Sequence, residues 1–587
     1  GVRAYAAFTG TCSRWSSSKG PNTQDMYFPQ GPSRPVIAAY ARTPVGAFRG
    51  GLKHVPGTLL GSVAISGATR ALPEGLRPGV VIMGQAVSAG CGQHPARQAS
   101  EGAGLHRVPS ICVNRVCSSG MDAVVDACMR VTLGRNECVV AGGMESMSRA
   151  PHVVSIRDRV KFGDTDSASL ASPEAEEEAQ TPMVDALLRD GLIDSFSDLH
   201  MGVAGELQAN MRGIDRDSQD SFAGTSYQRA QASSSFLEGE IVPVIVVAYP
   251  GASKTVLTPE AGEGLVSILP EVDALPGIPE ALREEVAEEV AREGRVADAE
   301  REHSSCVVVC PAPSPCVTWV GGDEQPSRYR PDKMSKLRPA FIRSCPPLPT
   351  LLSHPAYRDD TGSSSSHFLA ETGTEAKGRE GVSQLSGTDT LVGTITAANA
   401  PSLNDGAAAL VVTLPRCLEG GEEVVDNGVV TEVVCVAEVA VPPLAFTEAP
   451  TQAIRAIVRS LALASRTHSL SPEGERPPTL SPSDIDLYEV NEAFSCVALG
   501  SIGALGLDPQ TVNVHGGSVG LGHPIGCSGA RITGTLARSL QQLLEGREAE
   551  QGGDAGCVLG VAAICNGGGG GSAILLQVRR RGTSPRV

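Results

Sequence analysis

The stretch AAICNGGGGGSAILL, residues 562–576, places two apolar runs on either side of five consecutive glycines. Glycine runs are usually flexible linkers, and linkers are flanked by polar residues. Here the flanking segments 558–564 and 573–576 are apolar and typical of buried strands. The stretch therefore predicts two core strands joined by a turn. The glycines leave two explanations open, a tight turn or a turn whose backbone approaches a ligand closely.

The composition is that of a large globular protein. The chain has 587 residues, of which 41% are hydrophobic and 19% charged, which is enough for two or more domains. Its net charge of −17 argues against a nucleic-acid partner. No apolar run reaches the roughly 18 residues of a membrane span. The 16 cysteines lack the paired CxxC spacing of a zinc site, so we expect most of them to be reduced and buried.

The two ends of the chain differ from the rest in composition. Residues 1–34 are rich in serine and carry four basic residues against the single acid Asp25. This composition predicts a mitochondrial transit peptide or a disordered tail. A cytoplasmic or peroxisomal location is the alternative, although the final residues SPRV are not a peroxisomal tripeptide. Residues 579–587 read as a basic tail.

From residue 35 onward, apolar strands alternate with helical patterns, which predicts an α/β fold. The two halves of the chain echo each other. NRVCSSGMDAV (114–124) resembles HPIGCSGARIT (523–533), and VVAGGMES (139–146) resembles AAICNGGGGGS (562–572). A duplicated α/β unit would place these equivalent loops side by side.

The middle of the chain breaks this rhythm. Residues 165–180 are acidic, residues 259–327 hold a Glu-rich patch and a Cys/Pro-rich run, and residues 342–390 are rich in Ser, Gly and Pro. Such compositions bury little core, so we expect the last two stretches to be surface insertions or disorder. A translated intron is the alternative.

Four polar side chains and the glycine run are candidates for chemistry. Cys117 lies at the predicted start of a helix, where the helix dipole lowers a thiol pKa and favours a nucleophilic thiolate. His523, fixed between Gly and Pro, suits a general base, Cys565 a second acid/base, and Asn491 an amide that holds water or supports an oxyanion. The backbone N–H groups of 567–571 can point at an oxyanion. For each residue alone, a purely structural role competes.

Taken together, the motifs resemble the thiolase family. NRVCSSG, VAGGMESMS, HMG, NEAF, GLGHPIGCSGAR and CNGGGGG occur in thiolase order, and the resemblance covers about 35–258, 332–341 and 391–578. It implies a thiolase fold, with two duplicated α/β halves in a five-layer αβαβα arrangement. The halves would span 35–418, including a loop domain at about 151–390, and 428–578.

Within the family, the motifs look most like the mitochondrial acetyl-CoA C-acetyltransferases. This implies reversible Claisen condensation of two acetyl-CoA to acetoacetyl-CoA and CoA by ping-pong catalysis. Cys117 would carry the acetyl group, His523 would activate it, and Cys565 would move the methyl proton. One oxyanion site would use His523 and a water on Asn491, and the other the N–H groups of Cys117 and Gly567.

The resemblance also implies ligand contacts. Coenzyme A is a substrate, no cofactor is tightly bound, and the partners are acetyl-CoA, acetoacetyl-CoA, CoA and further copies of the chain in a dimer or tetramer. The positions that match coenzyme A contacts are Tyr227, Arg328, Lys333, His200, Met201 and Ser402. The positions that match a potassium site are Tyr227, Ala397, Ala398, Ala400 and Val519.

Two alternative functions remain open at this point. One is a broader 3-ketoacyl-CoA thiolase of β-oxidation. The other is a non-catalytic, thiolase-derived binding or scaffold protein. The second is motivated by the insertions and by Pro401, which stands where the family has a CoA-contacting serine.

Overall fold

The structure, a computed structural model, describes residues 22–28, 34–70, 72–73, 75–155, 183–257, 272, 274–275, 278–300, 306–341, 350–351, 391–418, 428–468, 480–551, 556–583 and 585–586. The predicted leader up to residue 21, the acidic stretch 165–180 and, apart from 350–351, the insertion 342–390 lie outside these ranges. Across the described ranges, no helix combines the length and apolarity needed to cross a membrane.

The strands are β1 Asn22–Tyr27, β2 Val36–Arg42, β3 Gly46–Ala47, β4 Val80–Gly84, β5 Ser110–Val113, β6 Cys138–Ser146, β7 His152–Val153, β8 Val184–Asp185, β9 Val244–Tyr249, β10 Thr255–Leu257, β11 Cys306–Pro311, β12 Cys316–Val320, β13 Asn404–Thr413, β14 Val429–Ala440, β15 Leu487–Val490, β16 Cys557–Asn566 and β17 Gly570–Arg580. The α-helices are α1 Gly57–Arg70, α2 Pro95–Gly102, α3 Ser119–Thr132, α4 Met201–Met211, α5 Arg216–Ala232, α6 Ser234–Glu238, α7 Glu280–Glu300, α8 Pro331–Met334, α9 Ala449–His468, α10 Ser495–Leu505, α11 Ser518–Leu521 and α12 Ile525–Gln551.

The main sheet repeats one strand pattern twice. Its order is β15-β16-β17-β14-β2-β13-β6-β4-β5. In the first half, β13 pairs antiparallel with β2 and with β6, and β6 pairs parallel with β4. In the second half, β17 pairs antiparallel with β14 and with β16, and β16 pairs parallel with β15. The predicted duplication is therefore confirmed.

Within the main sheet, the two halves are joined by only a short stretch of strand pairing. β2 and β14 pair at only two positions, Ile37 with Thr431 and Val36 with Glu432. Alternate residues of the strands face different cores: Val139 and Ala141 of β6 join the central core, while Cys138 and Val140 join an outer one. β16 behaves likewise, with Ile564 facing the central core and Cys565 an outer one.

Helices α3 and α12 fill the central layer, with α1 and α2 outside the first half and α9 and α10 outside the second. This is the five-layer order that the resemblance to thiolases implied. The two central helices cross at glycines. A Cβ atom on Gly120 would lie 2.8 Å from the backbone nitrogen of Ala530, and one on Gly529 would lie 2.5 Å from that of Met121. Any larger residue would push the helices apart.

The prediction that 259–327 is an insertion with little core is wrong for its second part. β11 and β12 flank β9 in a four-stranded sheet of order β10-β11-β9-β12. Val308 faces the outer core of the first half, while Val307 and Val309 pack with Val286 of α7. Composition misled because short Val/Cys strands lie between polar segments.

The segment after β12 also docks on the first half. Asp323 accepts hydrogen bonds from Arg42 Nη1 at 2.7 Å and from the Val45 N–H at 2.8 Å. Glu324 accepts from the Ala47 N–H at 2.7 Å and from the Gly51 N–H at 3.1 Å. These buried or half-buried carboxylates fix the end of the inserted sheet to the loop that follows β2.

The alternative of a disordered tail over 1–34 is wrong for its described part, whereas the transit peptide stays a prediction. β1 pairs antiparallel with β14 over six residues, from Asn22 with Ala440 to Tyr27 with Cys435. Phe28 is buried, and the buried Arg34 donates to the Phe28 carbonyl at 3.0 Å and to Glu432 at 3.3 Å. A basic residue counted toward a transit peptide is thus a core ion-pair partner.

We predict that Val308→Asp lowers the free energy of unfolding by about 3–5 kcal/mol, because it leaves an uncompensated charge in a core. Val308 is 0% exposed, whereas Leu133 is 63% exposed, so Leu133→Asp is the matched control with little expected effect. Thermal unfolding of the two variants measures the difference. Equal stabilities would mean that β11 does not belong to the core.

Candidate active site

Cys117 lies on a short loop between β5 and α3. The residue before it, Val116, has a φ of 50°, a left-handed conformation that is costly for a β-branched side chain. The residue after it, Ser118, donates its hydroxyl to Asn566 Oδ1 at 2.9 Å. Asn566 follows Cys565 directly. This hydrogen bond therefore fixes the Cys117 loop to the end of β16, in the other half of the molecule.

The glycine run forms a hairpin turn that faces this loop. β16 ends at Asn566, which pairs with Gly570 of β17, and Gly568 and Gly569 adopt φ values of 81° and 83°. The Gly567 backbone N–H lies close enough to the Cys117 thiol to lower its pKa. The stretch is therefore a tight turn between core strands whose backbone lies beside Cys117, and its close approach to a ligand stays a prediction.

Cys565 lies at the end of β16 and is 1% exposed. Burial raises its pKa well above the usual value, and the neighbouring Cys117 raises it further. The structure thus brings together the two cysteines that the sequence singled out, from opposite halves of the chain. Cys565 is a protonated thiol in the resting site.

His523 is held so that one ring nitrogen is available. Its Nδ1 lies 2.6 Å from Ser528 Oγ, and that hydroxyl donates to the Pro524 carbonyl at 3.0 Å. Since the hydroxyl has one hydrogen, Nδ1 carries the proton and donates, which leaves Nε2 as an acceptor. Nε2 is buried and has no partner among the described residues. Burial, with the charge of Arg531, lowers the His523 pKa to about 3, so the ring is a neutral base.

Asn491 presents a second available polar atom. The residue is 1% exposed, its backbone N–H donates to the Ala563 carbonyl at 2.9 Å, and its Oδ1 accepts from Ser518 Oγ at 2.7 Å. Its Nδ2 is buried without a partner in the described part of the chain. Buried polar atoms are normally paired, so an unpaired amide donor here indicates a place for a water or a substrate oxygen.

The expectation that the helix dipole gives Cys117 a low pKa is wrong. Burial raises the pKa of this thiol to about 12, and the carboxylate of Glu145 adds to the rise. The N–H bond from Gly567 opposes the rise but is the smaller influence. Desolvation of a buried thiolate outweighs the end of one helix. The nucleophile therefore rests as a thiol and needs a base at the moment of attack.

Three supporting residues escaped the sequence analysis. Glu145 accepts the N–H groups of Ala86 at 2.9 Å and Gly526 at 3.0 Å, which joins the end of β4 to the start of α12. Asn404 Oδ1 accepts the His523 N–H at 3.0 Å. Glu492 accepts the Val519 N–H at 2.8 Å. The available signal was a polar residue inside an apolar motif, as in GGMES, LNDG and NEAF.

The predicted coenzyme A residues differ in their contacts and in their exposure. Met201 reaches the glycine turn, with its sulfur 4.0 Å from a Cβ placed on Gly567. His200 caps α4 by accepting the Gly202 N–H at 3.0 Å and stacks on Phe341. Ser402 donates to Asn404 at 2.9 Å, so it joins the support of His523. Two further predicted contacts, Arg328 and Lys333, are exposed.

The predicted potassium residues are partly assembled. Tyr227, Ala398 and Val519 share one small cluster, whereas Ala400 packs in the core of the second half. Gln325 donates to the Tyr227 hydroxyl at 2.9 Å, and its own Oε1 is buried without a partner among the described residues. No group of His, Cys, Asp or Glu that could hold a metal occurs in the described ranges.

Comparison with known proteins agrees with this site. The models "Thiolase, N-terminal domain" and "Thiolase, C-terminal domain" match residues 35–268 and 476–578. The chain belongs to the thiolase family. An acetyl-CoA acetyltransferase of Schizosaccharomyces pombe is 33% identical to this thiolase over 92% of the chain and 98% of the relative. A mitochondrial acetyl-CoA acetyltransferase of Xenopus tropicalis is 32% identical over 92% and 91%.

A solved structure supports the fold. The Acat5 thiolase of Ascaris suum, crystallised in complex with coenzyme A, aligns with a TM-score of 0.60 and 28% identity over 93% of this chain and 100% of that one. The predicted thiolase fold and the prediction of an acyltransferase enzyme are therefore confirmed.

We expect alkylation of Cys117 by iodoacetamide to rise about tenfold per pH unit between about pH 7 and pH 9, since only the thiolate reacts. The reason is the pKa of about 12, far above this window. Mass spectrometry of the peptide containing Cys117 measures the rate, and the half-exposed Cys91 serves as an internal comparison. A plateau below about pH 8 would instead reveal a thiolate paired with a protonated His523.

Proposed function

We propose that this thiolase is an acetyl-CoA C-acetyltransferase that condenses two acetyl-CoA molecules reversibly to acetoacetyl-CoA and CoA. The observation that carries the proposal is the meeting of two thiols, the half-buried Cys117 and the buried Cys565, beside a neutral His523 with an available Nε2. One thiol suits acyl transfer, and the second suits proton transfer at a carbon. The names of the relatives and the coenzyme A complex of the Ascaris protein support the substrate class.

In the first half-reaction, Cys117 Sγ attacks the thioester carbon of one acetyl-CoA while His523 Nε2 takes the thiol proton. The transfer must accompany the attack, because the thiol pKa is about 12 and the imidazole pKa about 3. The N–H groups of Cys117 and Gly567 stabilise the oxyanion. The bond to the CoA sulfur then breaks, and Cys565 gives its proton to the leaving thiolate.

In the second half-reaction, the Cys565 thiolate removes a methyl proton from a second acetyl-CoA. The enolate oxygen is stabilised by the protonated His523 and by a water on Asn491 Nδ2. The enolate carbon attacks the acetyl group on Cys117, a carbon–carbon bond forms, and the bond to Cys117 sulfur breaks. His523 returns its proton to Cys117, so all three groups regain their starting states.

We also propose that Tyr227, Val519 and the backbone carbonyls of Ala397, Ala398 and Ala400 hold potassium. When bound, the ion supplies fixed positive charge that orders the segment 397–400 beside coenzyme A. Gln325, whose Oε1 has no partner among the described residues, supports an oxygen-rich site next to Tyr227.

Mitochondrial residence stays a prediction, since the named relatives include both mitochondrial and cytosolic proteins. Assembly into a dimer or tetramer also stays a prediction.

Cys117→Ala is expected to lower the rate of CoA-dependent cleavage of acetoacetyl-CoA at least about 10³-fold, because it removes the nucleophile. Cys112→Ala, which changes an exposed cysteine five positions earlier, is the matched control. Loss of the acetoacetyl-CoA absorbance measures the rate. A longer 3-ketoacyl-CoA as second substrate separates the broader β-oxidation thiolase, and a folded wild type without cleavage would favour the scaffold protein.

Potassium is expected to lower the KM for coenzyme A in the wild type, and Tyr227→Phe is expected to remove this effect. The reason is that the substitution deletes only the phenolic oxygen of the cation site. Initial rates in potassium chloride and in choline chloride of equal ionic strength provide the measurement. A potassium response that survives in Tyr227→Phe would rule out this residue as a ligand.

A further inference from the structure

A chain of three buried polar residues leads from the centre of the molecule to the active site. Arg531 of α12 is 1% exposed, Ser518 at the start of α11 is 0% exposed and Asn491 is 1% exposed. Arg531 Nη2 donates to Ser518 Oγ at 3.3 Å, and Ser518 Oγ donates to Asn491 Oδ1 at 2.7 Å. Neither Arg531 nor Ser518 has a part in the reaction described above.

This chain has only one possible direction. A guanidinium group has donors and no acceptor, so the Ser518 oxygen must accept from Arg531. The hydroxyl hydrogen goes to Asn491 Oδ1, since with the amide turned round it would have no acceptor among the described residues. The amide nitrogen is consequently left on the other side, where Nδ2 has no partner among the described residues. Through two hydrogen bonds, Arg531 thus determines that the amide nitrogen of Asn491, and not its oxygen, is left available.

Arg531 is suited to this role because its position and charge are constrained. Its carbonyl accepts a hydrogen bond from the Tyr40 hydroxyl at 3.3 Å, and its side chain is close enough to influence the titration of Glu489, Glu492 and His523. Glu489 is 2% exposed, and neither of its carboxylate oxygens has a partner in the described ranges. Burial raises the pKa of Glu489 to about 8, while the nearby charge of Arg531 lowers it, so the two side chains influence each other without forming an ion pair.

We propose that Ser518 and Arg531 are positioning residues that hold Asn491 with its donor face toward the enolate oxygen of the second half-reaction. The proposal rests on the proposed function. Without the Ser518 hydroxyl, the buried Asn491 oxygen loses its donor and the amide is free to turn. An amide oxygen in that place would accept a hydrogen bond from the bridging water, which then has one donor fewer for the enolate oxygen. The effect falls on enolate formation, whereas acetylation of Cys117 uses the separate N–H groups of Cys117 and Gly567.

The test compares two readouts on Ser518→Ala. Exchange of the acetyl-CoA methyl protons with D₂O, followed by mass spectrometry, reports enolate formation. Acetylation of Cys117 by acetyl-CoA, measured by intact mass, reports the first half-reaction. We expect exchange to fall by about tenfold, less than the 10²–10³ seen when an oxyanion donor is removed outright. Acetylation should stay within about twofold of the wild type, because its own oxyanion donors are unchanged.

The matched control is Ser501→Ala, since Ser501 is a 0%-exposed serine whose hydroxyl bonds Thr451 at 3.1 Å, away from Asn491. It should leave both readouts unchanged. In the background of Asn491→Ala, Ser518→Ala should have no further effect on exchange, because the amide that it positions is gone.

Three results would overturn the inference. The first is unchanged exchange in Ser518→Ala. The second is an equal fall of exchange and acetylation, which indicates a general packing defect. The third is additive effects on exchange in the double variant. A wild type that never becomes acetylated on Cys117 would instead refute the proposed function, and with it the reaction that the inference needs. The two failures are therefore distinguished by the acetylation measurement alone.

Discussion

The close crossing of helices α3 and α12 is the constraint on which the site depends. Gly120 and Gly529 leave no room for side chains at the contact, so the helices approach until backbone touches backbone. Each helix starts at a loop that carries a reactive residue, Cys117 before α3 and His523 before α12. Because the two halves are duplicates, the crossing brings equivalent loops to one point, where unlike side chains do different chemistry.

Burial sets the protonation states of these reactive side chains. A thiol at about 12 and an imidazole at about 3 are both kept neutral, so no charge has to be desolvated before substrate arrives. The surrounding polar atoms are nearly all committed to fixed partners, such as Glu145 to the Gly526 N–H and Asn404 to the His523 N–H. Two of the buried atoms without a partner among the described residues, His523 Nε2 and Asn491 Nδ2, are the atoms that the proposed chemistry uses.

The residues predicted the duplicated α/β order, and the motifs predicted which side chains meet. Periodicity sufficed for β16 and β17, because a fully buried strand next to a glycine turn has a clear pattern. It failed for β11, where a short Val/Cys strand is surrounded by segments of low complexity. It also failed for β1, which lies in a stretch whose basic residues are typical of a transit peptide. The raised Cys117 pKa also escaped, since depth of burial depends on neighbours from distant parts of the chain. The role of Glu145 escaped for the same reason, since it accepts N–H groups from Ala86 and from the distant Gly526.

The place of β13 in the main sheet has a consequence for synthesis. This strand lies between β2 and β6, yet β6 ends at Ser146 and β13 begins only at Asn404. At about 5–20 residues per second, translation of the intervening chain takes on the order of tens of seconds. During that interval the facing edges of β2 and β6 have no native partner strand. The nascent first half therefore carries two unpaired strand edges, and the long middle segment lengthens the time for which they can pair wrongly.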